Sequence, residues 1–118
     1  MTRLPRMACI ALWLAALAMP MACSRPGGSY LSEDEMQGRA LFEDHCAPCH
    51  QGAHPELRKQ PPKLEGLFKS KMLPSGVPAT DAQVRRTIIE GRGTMPAFDQ
   101  RLSEKDVDDL VKYLHTLK

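Results

Sequence analysis

Residues 46–50 read Cys46-Ala47-Pro48-Cys49-His50, and the reading of this stretch decides the reading of the whole chain. Its two thiols lie within one helical turn, and an imidazole follows the second thiol directly. Thiols so spaced reach the two vinyl groups along one porphyrin edge, and the adjacent imidazole then lies against the iron. This is the pattern of a c-type haem attachment site, with His50 as the proximal ligand. Other uses of a Cys-x-x-Cys pair fit less well. A zinc site needs four ligands, and the remaining cysteines, Cys9 and Cys23, are far from any such pairing. A thioredoxin-like redox pair belongs in a βαβ setting, and no strand-period segment adjoins this one. A disulfide across so short a loop leaves His50 without a role.

Upstream, residues 1–22 have the composition of an export signal. Arg3 and Arg6 form a basic start, and Met7 to Met19 is a nearly unbroken apolar run. That run is shorter than the ~20 apolar residues of a comfortable membrane span, and suits a signal core. Cys23 follows Ala22 as a lone cysteine, in the arrangement of a bacterial lipoprotein signal whose cysteine becomes the lipid-bearing N-terminus. Pro20 and Met21 depart from the usual residues there, so an ordinary secretory signal or an uncleaved anchor remain the alternatives. Cys9 and Trp13 belong to the signal. Residues 23–31, with Pro26, Gly27 and Gly28, read as a flexible linker behind the anchor cysteine. Export agrees with haem attachment, because the thiols must be joined to haem outside the cytoplasm.

Residues 32–118 remain as one small domain. A chain this short has little core of its own and needs a staple; covalent haem is the expected one, since the domain has no tryptophan and only three Phe. Three helices are marked by their caps. Ser32-Glu33-Asp34-Glu35 is a capping box opening a helix to about His45, with acids at the positive end of the dipole. Gly38 and Phe42 share one face of it. A mid-helix glycine costs about 1 kcal/mol relative to alanine, so close approach of another helix is the expected compensation. Thr80-Asp81-Ala82-Gln83 is a second box, opening a helix that buries Val84, Thr87 and Ile88 and stops at Gly91. Ser103 caps the last helix, where Val107, Leu110, Val111, Leu114 and Leu117 form an apolar stripe flanked by Tyr113.

Between these helices lie the segments that face the porphyrin. Pro61 and Pro62 force an extended passage, after which Leu64, Leu67 and Phe68 turn the chain inward. A ligating histidine gives its second ring N–H to an acceptor, and a carbonyl near Pro62 is a candidate for His50. Gly91-Arg92-Gly93-Thr94 leads into Met95-Pro96, where the proline keeps Met95 extended. Thioether sulfur is a haem-iron ligand, which makes Met95 the preferred distal ligand over Met72, which follows directly on Lys71 and has a proline two residues on. Met36 and Met72 read as packing or surface residues. His45, His54 and His115 read as isolated surface residues.

The assembled pattern closely resembles the class I cytochrome c family over essentially all of residues 32–118. Gly38-x-x-x-Phe42 ahead of Cys46 is similar to that family's N-terminal helix, and Pro62-Lys63-Leu64-x-Gly66-Leu67 to its proximal loop. Met95-Pro96 resembles its distal strap, and Leu110-x-x-Tyr113-Leu114 its C-terminal helix. The resemblance implies an all-α fold, three to four helices wrapped around one covalent haem c, with the terminal helices packed together. It implies that Gly38 and Phe42 pack across Leu110 and Tyr113, and that the Pro62 carbonyl accepts from His50. Cys46 and Cys49 then carry the thioethers, and His50 and Met95 the iron. Departures are the lipid-type N-terminus and Pro61, where many members have glycine.

The function so implied is one-electron transfer by a periplasm-facing, lipid-tethered, monomeric carrier between a donor complex and a terminal oxidase or reductase. It is not an enzyme in this reading, since two axial ligands leave iron no open position. The alternatives are a haem enzyme or gas sensor with an open distal site, and a dedicated electron-entry subunit of a dehydrogenase or reductase complex. Without Arg3 and Arg6 the charges balance, but unevenly. Arg58, Lys59, Lys63, Lys69, Lys71, Arg85, Arg86 and Arg92 make the middle basic. Glu33, Asp34, Glu35, Glu43, Asp44, Glu104, Asp106, Asp108 and Asp109 make the two terminal helices acidic. Such a dipole would steer the basic side onto an acidic partner. Nothing in the pattern points to nucleic acid.

Overall fold

Ser32 opens the first helix, α1 (Glu33–His45), with both halves of a capping box: its hydroxyl accepts from the Glu35 amide, and the Glu35 carboxylate accepts from the Ser32 N–H at 2.6 Å. The computed structural model describes residues 30–118; the signal, Cys9, Cys23 and all of the linker before Tyr30 lie outside the described residues. At the C-terminus of α1 the Cys46 N–H still donates to Phe42 O, and one further turn, α2 (Ala47–His50), follows at once. An extended passage then leads through Gly66, at φ 69°, into a 3₁₀ turn at Leu67–Lys69. Two longer helices complete the order, α3 (Asp81–Glu90) and α4 (Glu104–Thr116). Among the described residues there is no strand, only the isolated bridges Met72–Pro78 and Arg92–Met95. The fold of the described residues is the all-α arrangement expected, with four α-helices among them.

The caps differ in one detail from expectation. Ser103 makes the full box with Asp106, whereas Thr80 caps α3 only through its hydroxyl and the return bond from Gln83 is not formed.

Helices α1 and α4 cross at Gly38. A Cβ built there would lie 2.0 Å from the carbonyl oxygen of Asp109 and 2.9 Å from Tyr113 Cβ. The absent side chain is therefore what admits α4's backbone. One turn on, Phe42 is buried and its ring meets Tyr113, tilted 59° with centroids 5.4 Å apart. The stripe of α4 is in the core as read: Val107, Leu110, Val111 and Leu114 are buried, with Leu117 half-buried. Val84 and Ile88 of α3, Leu67, Leu73, Phe98 and Leu102 close around it. Near the end of α4 the Leu117 carbonyl accepts from the Gly66 N–H at 3.1 Å, tying the chain's last residues to the entrance of the 3₁₀ turn.

Two residues of α4 depart from the surface role expected of them. Asp109 is 1% exposed, because α1 comes so close at Gly38 that it covers the side chain beside that contact. Its Oδ2 accepts from Lys105 at 2.6 Å, while Oδ1 has no hydrogen-bond donor and the Lys112 ammonium is 3.8 Å away. Lys105 and Lys112 also hold Asp34 of α1, so the crossing is latched by charge as well as packed. His115 is not isolated either. Its ring stacks on Phe68 at 3.7 Å, and its Nε2–H donates to Asp81 at 2.8 Å, joining α4 to the 3₁₀ turn and to the first turn of α3.

Replacing Gly38 by alanine forces the two helices apart against a backbone carbonyl, an overpacking expected to cost about 2–3 kcal/mol. The denaturant midpoint of the haem-loaded protein reads this directly; an unshifted midpoint would mean the crossing is not tight. The Asp34 carboxyl is held below its ordinary 3.8 by its hydrogen bond to Lys112 and the charges of Lys105 and Lys112. A lowered carboxyl stabilises the fold above its unfolded value and loses that contribution as pH falls through the folded one. The stability difference between the parent protein and Asp34→Asn is therefore expected to be constant well above pH 3.8 and to vanish in more acid solution. A difference that persists at the lowest pH would exclude the charge as its source.

Candidate functional site

The first half of the site hangs from the end of α1. Phe42 is anchored at the crossing, and Cys46 lies one turn further, buried. Within α2 the His50 N–H donates to Cys46 O at 2.8 Å and the Cys49 N–H to the same carbonyl at 3.1 Å. The three residues of the motif therefore share one turn of backbone, with Cys46 turned into the core and Cys49 exposed. Burial, with the neighbouring Cys49, pushes the Cys46 thiol up to about 11, so it is protonated at neutral pH.

The imidazole of His50 is fixed from the opposite side. Its Nδ1–H donates to the Pro62 carbonyl at 2.7 Å, leaving Nε2 as the ring nitrogen free to bind a metal. Gln60 braces the loop that brings Pro62 back. Its amide donates to the His54 and Leu57 carbonyls, and its side-chain oxygen accepts from the His54 N–H at 3.0 Å. The His54 ring also meets Glu56 and the Gln51 carbonyl, so this histidine belongs to the loop's scaffold. Sequence reading missed Gln60; a side chain bonding to backbone within an irregular loop leaves no periodic signal.

Of the two candidate methionines, Met95 is half-buried and packed against the core cluster that contains Cys46. Its backbone pairs with Arg92 through two hydrogen bonds of 3.0 Å. Met72, on the hairpin from Lys71 to Ala79, is 50% exposed. Met36, 55% exposed, also lies on the surface.

These residues fit a covalent haem: two thiols on one turn, an imidazole held by an acceptor with one nitrogen free, and a thioether on a strap packed into the same core. Among the described residues no group of three or more His, Cys, Asp or Glu could hold a metal ion by itself.

Known proteins agree. The family model described as cytochrome C oxidase, cbb3-type, subunit III matches residues 33–114. Cytochrome c6 from Aphanizomenon flos-aquae is 35% identical over 82 residues, covering 69% of this chain and 87% of that protein. Cytochrome c6 from Bumilleriopsis filiformis is 32% identical over 81 residues, covering 69% and 88%. The crystal structure of cytochrome c6 from the diatom Phaeodactylum tricornutum superposes with a TM-score of 0.52 at 26% identity, covering 70% of this chain and 92% of that one. With the attachment turn, the helix crossing and the family match in agreement, the chain belongs to the cytochrome c family, in its class I form with a single covalently bound haem c and an electron-carrying role.

Proposed function

We propose that Cys46 and Cys49 carry the two thioethers, that His50 and Met95 are the axial ligands, and that the protein is a one-electron carrier of an exported redox chain. The observation that carries this reading is the 2.7 Å bond from His50 Nδ1–H to the Pro62 carbonyl. That bond sets the tautomer, aims Nε2 and raises its basicity, which is the work of an acceptor behind a ligating imidazole. Haem supplies the one-electron couple, and a methionine ligand moves its potential upward. The chain's own part is to hold both ligands without rearrangement and to keep water out. Phe42, Cys46 and Phe98 are buried, and the Met95 strap is bonded to the end of α3. With His50 and Met95 both holding the iron, the site would favour electron exchange over oxygen or peroxide chemistry, so the reading is of a carrier and not an enzyme.

The location follows from the sequence of residues 1–31, which supports a signal peptide through Ala22, a lipid anchor on Cys23 and a linker to a periplasm-facing domain at 32–118. Among the described residues no helix is long and apolar enough to cross a membrane. The redox partners in this proposal are a donor complex and a terminal oxidase or reductase, met by a monomeric carrier. The description of the matching family as an oxidase subunit favours a second reading, an electron-entry subunit that stays in one complex.

Charge gives the docking side, with a revision. Arg85 is tied to Asp108 and Arg86 to Glu90, so neither adds a free cation. Arg58, Lys59, Lys63, Lys69, Lys71 and Arg92 are exposed and have no ion-pair partner among the described residues. In this proposal these six are the free cations that an acidic partner would meet.

Replacement of Met95 by alanine is expected to abolish the weak far-red absorption of an iron–methionine bond in the oxidised protein and to let carbon monoxide bind the reduced form. Met72→Ala is expected to change neither. The opposite pattern would move the ligand to Met72; carbon monoxide binding by the parent protein would favour an open-site enzyme or sensor. Raising ionic strength from roughly 0.01 to 0.15 M shortens the Debye length from about 30 to about 8 Å. The electron-transfer rate with the natural oxidase is then expected to fall about tenfold if docking is steered. A rate indifferent to salt would rule steering out.

A further inference from the structure

We propose that Gly91 is the positioning residue for Met95: the end of α3 fixes the strap, so that the thioether is held in place before it binds iron. The inference rests on the reading of Met95 as the distal ligand and names what sets its position. Gly91 caps α3 at φ 70° and ψ 177°, with its N–H on Thr87 O. Positive φ with ψ near 180° is a region essentially restricted to glycine. The strap passes directly over the space a side chain would fill. A Cβ on Gly91 would lie 2.6 Å from Met95 O, 2.8 Å from Pro96 C and 2.7 Å from Ala97 N, backbone atoms of three successive residues.

Hydrogen bonds pin the same segment on either side of that contact. The Arg92 N–H donates to Met95 O and the Met95 N–H to Arg92 O, both at 3.0 Å, and the Phe98 N–H donates to Ile88 O at 3.1 Å. The Phe98 ring is buried in the core, so the strap cannot slide along the helix without exposing it. Met95 is therefore placed by backbone contacts to α3, and neither Thr94 nor the sulfur has to provide the restraint.

Gly93 supplies the internal comparison. Its φ is positive too, 59°, but a Cβ there meets nothing within 4 Å. Alanine at either position strains the backbone; only at 91 does it also displace the strap.

The test uses haem-loaded protein carrying Gly91→Ala, Gly93→Ala or Met95→Ala. For Gly91→Ala we expect the far-red band to weaken or disappear. Carbon monoxide should bind its reduced form roughly 10–100-fold more tightly than the parent, the scale seen when a ligand loses its supporting contacts. Gly93→Ala, matched for helical content, should keep the band and the exclusion of carbon monoxide. If Met95→Ala loses the band while Gly91→Ala keeps both parental properties, the positioning role is wrong and the ligand assignment stands. If Gly93→Ala loses the band equally, backbone strain is the cause and the close approach is irrelevant. If Met95→Ala keeps the band, the ligand assignment falls and this inference with it. Should Gly91→Ala yield no folded protein, amide hydrogen exchange in the parent decides the matter. Met95 and Phe98 are then expected to be protected like the amides of α3, and exchange of Met95 as fast as Gly93 would overturn the proposal.

Discussion

A peptide carbonyl of α4 sits where residue 38 would otherwise carry a side chain, and the geometry of the haem-facing half of the molecule descends from that contact. Because the two helices meet backbone to side-chainless backbone, their separation is fixed by hard contact and not by adjustable rotamers. Phe42 and Cys46 follow at successive turns from the crossing, so the first thiol is referenced to α4 through a rigid rod. The second thiol and the imidazole belong to a turn whose amides bond back to Cys46 itself. Precision at the attachment site thus comes from helix geometry, and the loop beyond needs only to deliver one carbonyl to His50.

Met95, the proposed second ligand, has a different support. Met95 is carried by a strap moored to the end of α3, and α3 meets α4 through its own contacts. The stack of Phe68, His115 and Asp81 joins the two systems, since it touches the 3₁₀ turn behind Pro62, the last turn of α4 and the first of α3. Small rearrangement on electron transfer is what such double mooring provides. Under the proposed ligation, a ligand set moored at α1 and at α3 would change little when the charge on its metal changes, and preorganisation of that kind would lower the cost of each electron passed.

Much of this was legible in the chain before any coordinate. The attachment turn, the three caps, the apolar stripe of α4 and the glycine–phenylalanine face of α1 all depend on spacing within a few residues, and spacing is what a sequence displays. Asp109 was read as one more surface acid because its burial is imposed by a helix that begins 76 residues earlier, at Glu33. His115, Gln60 and the Arg85–Asp108 pair escaped for the same reason: each partner arrives through the fold, at no characteristic interval. Gly91 was legible as a helix stop, which is a local property. Its contact with the strap was not, since that requires knowing where the chain returns.

The bond from the Gly66 N–H to the Leu117 carbonyl has a mechanical side. Traction applied through the final residues of the chain would travel straight into the loop that orients the His50 imidazole. Traction applied ahead of Leu31 would first load the capped start of α1, which is braced by Ser32, Glu35 and the lysines gripping Asp34. The two ends are therefore unequal as handles: force from the front meets the latched crossing of α1 and α4 before it can reach the turn that holds Cys46 and His50.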